Sequence, residues 1–492
     1  MIEYLERDGR KTVQVKPSGQ RLAGNSGAAA QPEVPPTLTY PLMGFLGSTI
    51  GTLIAIAAMP HDPQAEGALV FSGAILSAGL FVSPVLSFFK NPRSVFRAEH
   101  LLMYGMFYWL LLDLVQSAFP LRGASADGIR GAFICIGLFC ACFWLSNLAP
   151  PHRLPRFIIT STQHDLKPNI ALGLTFVCFS LAMFNYLYSA DFDFELIYYT
   201  LLSQRWFAPW GRGMLGGWEA FRDVLQVFGY IVPTLTAVVI VRRGLVSSAS
   251  ITCLIMSLIV LAFVSHSGSR RIVGMMLGAA ILFWVLSQTR LTVRSYMVVG
   301  LLAVALLVLM QLMFIYRKTG FGVLLYQQEE VTLGGGVIYV DDNFLRLAQV
   351  VDFFPDRVPY VTYRRLFFTA VRPIPRVFWQ DKPLNWGFDL AEALGDRDVA
   401  WSSSLLADWF VMYGFLTVGL GGILYGRLCS WWSQVMDLGV RPVGLLVYSL
   451  GAMAIFCSLR QIDELVLMSY PLFGWILVSS LFLRPQRHVA PD

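Results

Sequence analysis

ITCLIMSLIVLAFVSHSGSRRIVGMMLGAAILFWVLSQ, residues 251–288, is two apolar runs joined by the seven residues SHSGSRR. A helix needs about 20 consecutive apolar residues to cross the hydrocarbon core of a bilayer. The runs near 250–267 and 271–288 approach that length, and the connector leaves room only for a tight turn. The stretch therefore reads as a hairpin of two membrane helices. Outward from it, runs of similar size fall near 40–60, 67–89, 99–119, 130–149, 169–189, 225–241, 295–316, 402–426, 442–459 and 465–483, which predicts about twelve transmembrane helices. Composition agrees: 56% of the 492 residues are hydrophobic and only 14% are charged, against about 25% charged in a soluble domain.

The short loops set the orientation, because cytoplasmic loops of membrane proteins are enriched in Lys and Arg. With the N-terminus inside, the inner loops are KNPRSVFR, PHRLPRF to HDLKPN, VRRG, TRLTVR, the segment from Arg427 to Arg441 and the tail from Arg484, all of them basic. The first outer loop, HDPQAEG, has no Lys or Arg, whereas the second, PLRGASADGIR, has two. Twelve crossings bring the C-terminus back to the cytoplasm. The expected organisation is a disordered, basic, Gly/Ala/Pro-rich tail over 1–39, nine helices over 40–316, a large outer loop over 317–401, three helices over 402–484 and a tail over 485–492. The tail's mixed composition excludes a cleavable signal peptide, so the first run is a retained anchor.

The net charge of +6 does not point to nucleic acid, since the basic residues are scattered through short loops. The seven cysteines lie in or beside apolar runs without disulfide or metal spacing, and read as small packing residues. No phosphate loop, dinucleotide fingerprint, zinc-protease motif or nucleophile elbow occurs. The sequence predicts neither a metal site nor a cofactor.

Two long segments face outward, 190–224 and 317–401. The second is dense in arginine, whose planar guanidinium binds phosphate or carboxylate bidentately. NFLRLAQVVDFF (343–354) predicts an amphipathic helix with Asn343 as N-cap and Pro355 beyond its end, its apolar side suited to the membrane surface. VRPIPRVFWQDKP (371–383) has three prolines, which exclude a regular helix. QEEVTLGGGVIYVDD (328–342) is a Gly-rich connection with acidic ends.

Several charged positions are candidates for chemistry. Arg270 and Arg271, on the SHSGSRR turn, are either interfacial arginines snorkelling to water or a clamp for an anionic head group. Arg205 and Arg212, in QRWFAPWGRG, lie on the same side, and the large loop adds Arg372, Arg376 and Lys382. Asp408, just inside the tenth helix, has three readings: a helix-start charge, the partner of an arginine, or a general base facing an outer cavity. Ion-coupled transport would use carboxylates at membrane depth, for which Asp113 and Asp408 are the candidates. Matching broken helices in two halves, which transporters show, are not evident.

At these residues the chain resembles the Wzy-type O-antigen or polysaccharide repeat-unit polymerases. The resemblance rests on NFLRLAQVVDFFP, then VPYVTYRRLFFTAVRPIPRVFWQDKP, then SSSLLADWFVMYGFLTVGLGGILYG, with SGSRR before the eighth helix. Pro375, Arg376, Lys382 and Pro383 match the family's I-P-R-x-x-W-x-x-K-P pattern. Asp408 stands where the family commonly has Glu, and a Gly common after the P-Y element is absent from VPYVTYRR. The resemblance implies an all-α polytopic membrane protein of GT-C-like architecture in the bacterial inner membrane, with its large loop in the periplasm between helices 9 and 10. It implies a metal-independent glycosyltransferase that moves a growing glycan from undecaprenyl diphosphate to the terminal sugar of another lipid-linked unit, with a chain-length regulator as a further partner. Arg270, Arg271, Arg372 and Arg376 would then hold the diphosphate, Lys382, Arg205 and Arg212 would assist, and Asp408 would take the hydroxyl proton. The competing readings are an O-antigen ligase, which uses the same carrier but another acceptor, and a lipid-glycan flippase with no chemistry.

Overall fold

Bilayer-length apolar runs can satisfy their backbone hydrogen bonds only internally, which forces helix. The computed structural model describes residues 39–482 apart from 163, 165, 211–218, 324–335, 377, 384, 397–400 and 439–441, and every regular element among them is helical. The expectations for both terminal tails, for Arg212 and for most of the Gly-rich 328–342 connection fall outside these residues.

Among the described residues, seven helices are long and apolar enough to cross a membrane: α1 (Thr39–Ala57), α2 (Val70–Lys90), α5 (Ala126–Ser146), α7 (Pro168–Ser189), the span Val224–Arg243, α11 (Ser248–His266) and α13 (Val293–Tyr316). They are those of a polytopic membrane protein. Helices also occupy the other apolar runs, but these are shorter, interrupted or more polar. The run near 99–119 is α3 (Ala98–Met106), a π-helical turn at Phe107–Leu111 and α4 (Leu112–Val115). The Val224–Arg243 span joins the end of α9 (Glu219–Gly229) to α10 (Val232–Arg243), and α12 covers Arg270–Leu286.

The predicted tenth helix is two. Gly414, at φ +67° and ψ −145°, ends one segment at Tyr413 and the next starts at Phe415. Between α13 and this break lie α14 (Asn343–Phe353), α15 (Arg364–Val371) and α16 (Leu390–Ala393); α17 is then Leu405–Tyr413 and α18 Phe415–Leu438. The chain ends with α19 (Pro442–Ser458) and α20 (Ile462–Phe482). Most of the predicted inner loop 427–441 is thus the end of α18. There the Arg427 guanidinium donates to the carbonyls of Ser146 (3.1 Å), Ala149 (2.8 Å) and Pro150 (2.6 Å), capping α5.

Small residues let helices approach closely where no water drives them together. A Cβ on Gly422 or Gly426 of α18 would collide with the α5 carbonyls of Phe139 and Phe143, and one on Gly79 of α2 with the α1 carbonyl of Gly47. The loops sort into two sets at opposite ends of the bundle. At one end Arg97 pairs with Asp437 (3.1 Å), Gln434 donates to His152 O (2.7 Å) and Arg93 to Leu286 O (3.0 Å). At the other end, the described residues of 61–67, 117–125, 190–210, 267–270, 317–401 and 460–462 meet. That end holds the arginines of interest.

α14 forms as predicted but does not lie on a membrane surface. Its N-cap is Asp342, in the left-handed region at φ +42°, rather than Asn343, and most of its residues are buried. It packs on α5, with Phe344 edge-on to Phe133 (5.1 Å between centroids), and a Cβ on Gly131 would meet Val351 at 2.6 Å. Asp352 accepts the Ser125 N–H (2.7 Å) at the start of α5, where a carboxylate also complements the helix dipole.

Candidate functional site

The site is built on two helix N-termini. Arg270 and Arg271 are the first residues of α12, where the helix dipole disfavours cations. Carboxylates offset this. Arg270 binds Asp341 Oδ1 (2.9 Å) and donates to the carbonyls of Tyr339 (2.7 Å) and Val340, while Arg271 Nε lies 2.9 Å from Glu464 Oε1 in the first turn of α20. Arg460, on the turn between α19 and α20, joins both carboxylates, at 2.7 Å from Asp341 Oδ2 and 3.8 Å from Glu464 Oε1.

Arg205 and Arg317 extend the cluster. The Arg205 N–H donates to Arg317 O (3.4 Å), and the guanidiniums of Arg270 and Arg317 both stack on Phe314, at 4.7 and 4.8 Å. At Gly268 (φ +64°) a Cβ would lie 3.2 Å from Arg205 Cδ, so the turn is shaped around that side chain. Five guanidiniums therefore gather around Asp341 and Glu464, with Asp342 also acting on Arg317. Burial, then Arg317 and Arg460, lower the Arg205 pKa; burial, then Arg270, lower that of Arg317. Burial raises the Asp341 carboxyl, but Arg460 and Arg270 outweigh it and the net shift is downward. The cluster carries a local positive excess.

Asp341 is held in place from inside the bundle. Buried Asp113 accepts the N–H groups of Val340 (2.9 Å), Asp341 (3.2 Å) and Asp342 (3.2 Å), a run of backbone donors that curls around the carboxylate. Gln116 accepts the Ile338 N–H (2.9 Å) and Gln311 that of Tyr339 (3.2 Å), while Asn343 donates to Trp109 O (3.1 Å). Asp113, a candidate for ion coupling by sequence, is here the anchor of residues 340–342.

A second charge network adjoins the first. Arg365 of α15 has no exposed side-chain surface and grips Asp408 of α17 through Nε (2.8 Å) and the second guanidinium nitrogen (2.9 Å). Its third nitrogen reaches Asp463 (3.0 Å), which also accepts from Thr369 (2.5 Å) and Arg372 (2.8 Å). The Ile462 N–H donates to Asp408 (2.8 Å). Burial lowers the Arg365 pKa, but Asp408 and Asp463 outweigh it and raise it. Asp463 and Glu464 are neighbours in sequence, so α20 links the two networks.

Asp408 accordingly does not face an outer cavity. It is fully buried, with both oxygens engaged, and is an arginine's partner. Arg205, Arg270 and Arg271 come together as the sequence suggests, and Arg372 joins through Asp463. Arg376 and Lys382 do not enter the cluster. Arg376 is exposed, 3.5 Å from the carbonyls of Gln380 and Pro383, and Lys382 staples its own loop by donating to Arg372 O (2.9 Å) and Ile374 O (2.8 Å). Burial, then Arg376 and Arg372, lower the Lys382 pKa.

Sequence reasoning missed Arg317, Arg365 and Arg460 as site members, along with Asp341, Asp463 and Glu464. One signal was present: SLRQIDE (458–464) is a second short charged turn between apolar runs, the counterpart of SHSGSRR. Compared with known proteins, the chain matches no family model, no curated protein and no solved structure.

Proposed function

We propose that the chain polymerises lipid-linked oligosaccharide repeat units, moving a growing glycan from undecaprenyl diphosphate to the terminal sugar of another lipid-linked unit. In this reading it crosses the bacterial inner membrane about twelve times in a GT-C-like arrangement, with both termini cytoplasmic and the arginine cluster at the periplasmic face. The observation that carries the proposal is the convergence of Arg205, Arg270, Arg271, Arg317 and Arg460 at one end of a membrane bundle around Asp341 and Glu464. A diphosphate leaving group gains charge as the glycosidic bond breaks, and guanidiniums already aimed at that charge stabilise the transition state. Both substrates are tethered to lipid, so a site at membrane depth meets both. Asp408 and Asp463 serve here by fixing Arg365 and Arg372, which frame the cluster beside α20.

The test is the affinity of purified protein for undecaprenyl diphosphate. Arg317→Gln should weaken binding about tenfold or more, the loss of one charge-assisted contact, whereas Arg364→Gln, on the exposed face of α15, should leave it unchanged. Equal affinity for the wild type and Arg317→Gln would overturn the clamp.

A further inference from the structure

In the joined networks, the carboxylates that touch arginines are almost fully satisfied. Asp341 places one oxygen on Arg270 and the other on Arg460; Asp408 places its two on Arg365 and the Ile462 N–H; Asp463 uses one for Arg365 and Thr369 and the other for Arg372. Glu464 differs. Its Oε1 faces Arg271 and Arg460, but Oε2 is buried with no hydrogen-bond partner among the described residues, on a residue only 2% exposed. A buried, unpaired carboxylate oxygen is costly and rare, and one beside an anion-binding cluster has an open lone pair where a proton must be accepted.

We propose that Glu464 is the proton acceptor of the transfer reaction, held idle by Arg271 and uncovered when the donor diphosphate draws Arg271 away. This rests on the reading under Proposed function. Arg271 lies over the carboxylate and is itself partly exposed, with 24% of its side chain accessible against 2% for Glu464, so it is the group a ligand meets first. Diphosphate competes with Glu464 for the same guanidinium. Once Arg271 turns to phosphate, Glu464 keeps only the longer Arg460 contact to Oε1 (3.8 Å), and Oε2 is left to take a proton. The acceptor sugar's hydroxyl oxygen then bonds to the anomeric carbon of the donor. The bond from that carbon to the diphosphate oxygen breaks, and its electron pair leaves with the diphosphate, paired to the arginines. The hydroxyl proton passes to Glu464 Oε2 and later to water. Asp408 does not fit this part, because both of its oxygens are engaged by Arg365 and the Ile462 N–H.

Two measurements test the proposal. The first compares Glu464→Gln, which keeps the shape and a partner for Arg271, with wild type, reading both undecaprenyl diphosphate affinity and the conversion of lipid-linked units into polymer. The expected result is affinity within about threefold of wild type and turnover lower by about a hundredfold or more, the usual contribution of a general base. Wild-type turnover in Glu464→Gln overturns the role, as does loss of binding and turnover together in properly inserted protein. The second measurement needs no variant, and decides the matter if Glu464→Gln does not fold. Dicyclohexylcarbodiimide labelling of Glu464 in wild-type protein, read by mass spectrometry, should rise about threefold or more when undecaprenyl diphosphate is added. Unchanged or reduced labelling overturns the release. If wild-type protein neither binds undecaprenyl diphosphate nor extends lipid-linked units, the polymerase reading itself falls; if it does both and only the Glu464 results fail, the polymerase reading stands alone.

Discussion

Arg365 carries a permanent charge with no exposed side-chain surface, and it can do so only because Asp408 and Asp463 occupy its three donor directions. Removing one member of a buried pair strands the other, at a cost of about 3–5 kcal/mol. Arg365→Ala should therefore lower the melting temperature sharply in detergent, and Arg365→Lys should recover little, since an ammonium cannot make the two-pronged contact with Asp408. Asp408→Asn should also destabilise; full stability with selective loss of activity would contradict its structural role. Asp341 gives a pH dependence. Its folded pKa lies below its unfolded value, so its stabilisation is complete above about 3.9, the ordinary aspartate value, and fades as pH falls through the lower folded value. The gap in melting temperature between wild type and Asp341→Asn should thus be wide at neutral pH and close in acid. At this scale the sequence is partly legible. SGSRR and the helix-start Asp408 stand out because charge is rare in apolar surroundings. That Arg365 rather than its neighbour Arg364 turns inward is not visible, because RR followed by LFF offers either arginine an apolar setting.

At the scale of the element, residues 338–343 act as a strap tied to the bundle by Gln116, Gln311 and Asp113, and this strap delivers Asp341 to the arginines. Asp113→Ala strands three backbone N–H groups, at about 1–3 kcal/mol for an unsatisfied buried donor. Amide exchange at Val340, Asp341 and Asp342 should speed up markedly while α5 and α18 stay protected. Substitutions at Gly422 act elsewhere. Gly422→Val places a side chain against the Phe139 carbonyl and should separate α5 from α18, lowering thermal stability with little effect confined to the strap. The helix over 343–353 was readable from its period and from Pro355. Its partner was not: an apolar helix face looks the same whether it meets lipid or the small residues Gly128 and Gly131 of α5. Likewise the break at Gly414 is hidden inside LLADWFVMYGFLTVGL, where one glycine in an apolar run reads as continuous helix.

For the whole molecule, hydropathy made the all-helical membrane fold legible, because every long apolar run must satisfy its backbone internally. Among the described residues, seven helices meet the length and composition of a span. The other runs are harder to read because packing and buried charge have cut into them: a π turn at Phe107–Leu111, a break at Gly414, and Asp463 and Glu464 at the head of α20. If the arginine end is periplasmic, a membrane-impermeant maleimide should label Asp62→Cys from outside the inner membrane and Arg153→Cys only after permeabilisation. The reverse pattern would place the arginine cluster in the cytoplasm. The most direct test of the account is reconstitution of the purified chain in proteoliposomes with undecaprenyl-diphosphate-linked repeat units. Wild-type protein should build a ladder spaced by one unit, releasing one undecaprenyl diphosphate per bond formed, and Arg271→Ala inserted to the same level should build none. Units that stay single, units passed only to a lipid A-core acceptor, or an equal ladder from Arg271→Ala would contradict it.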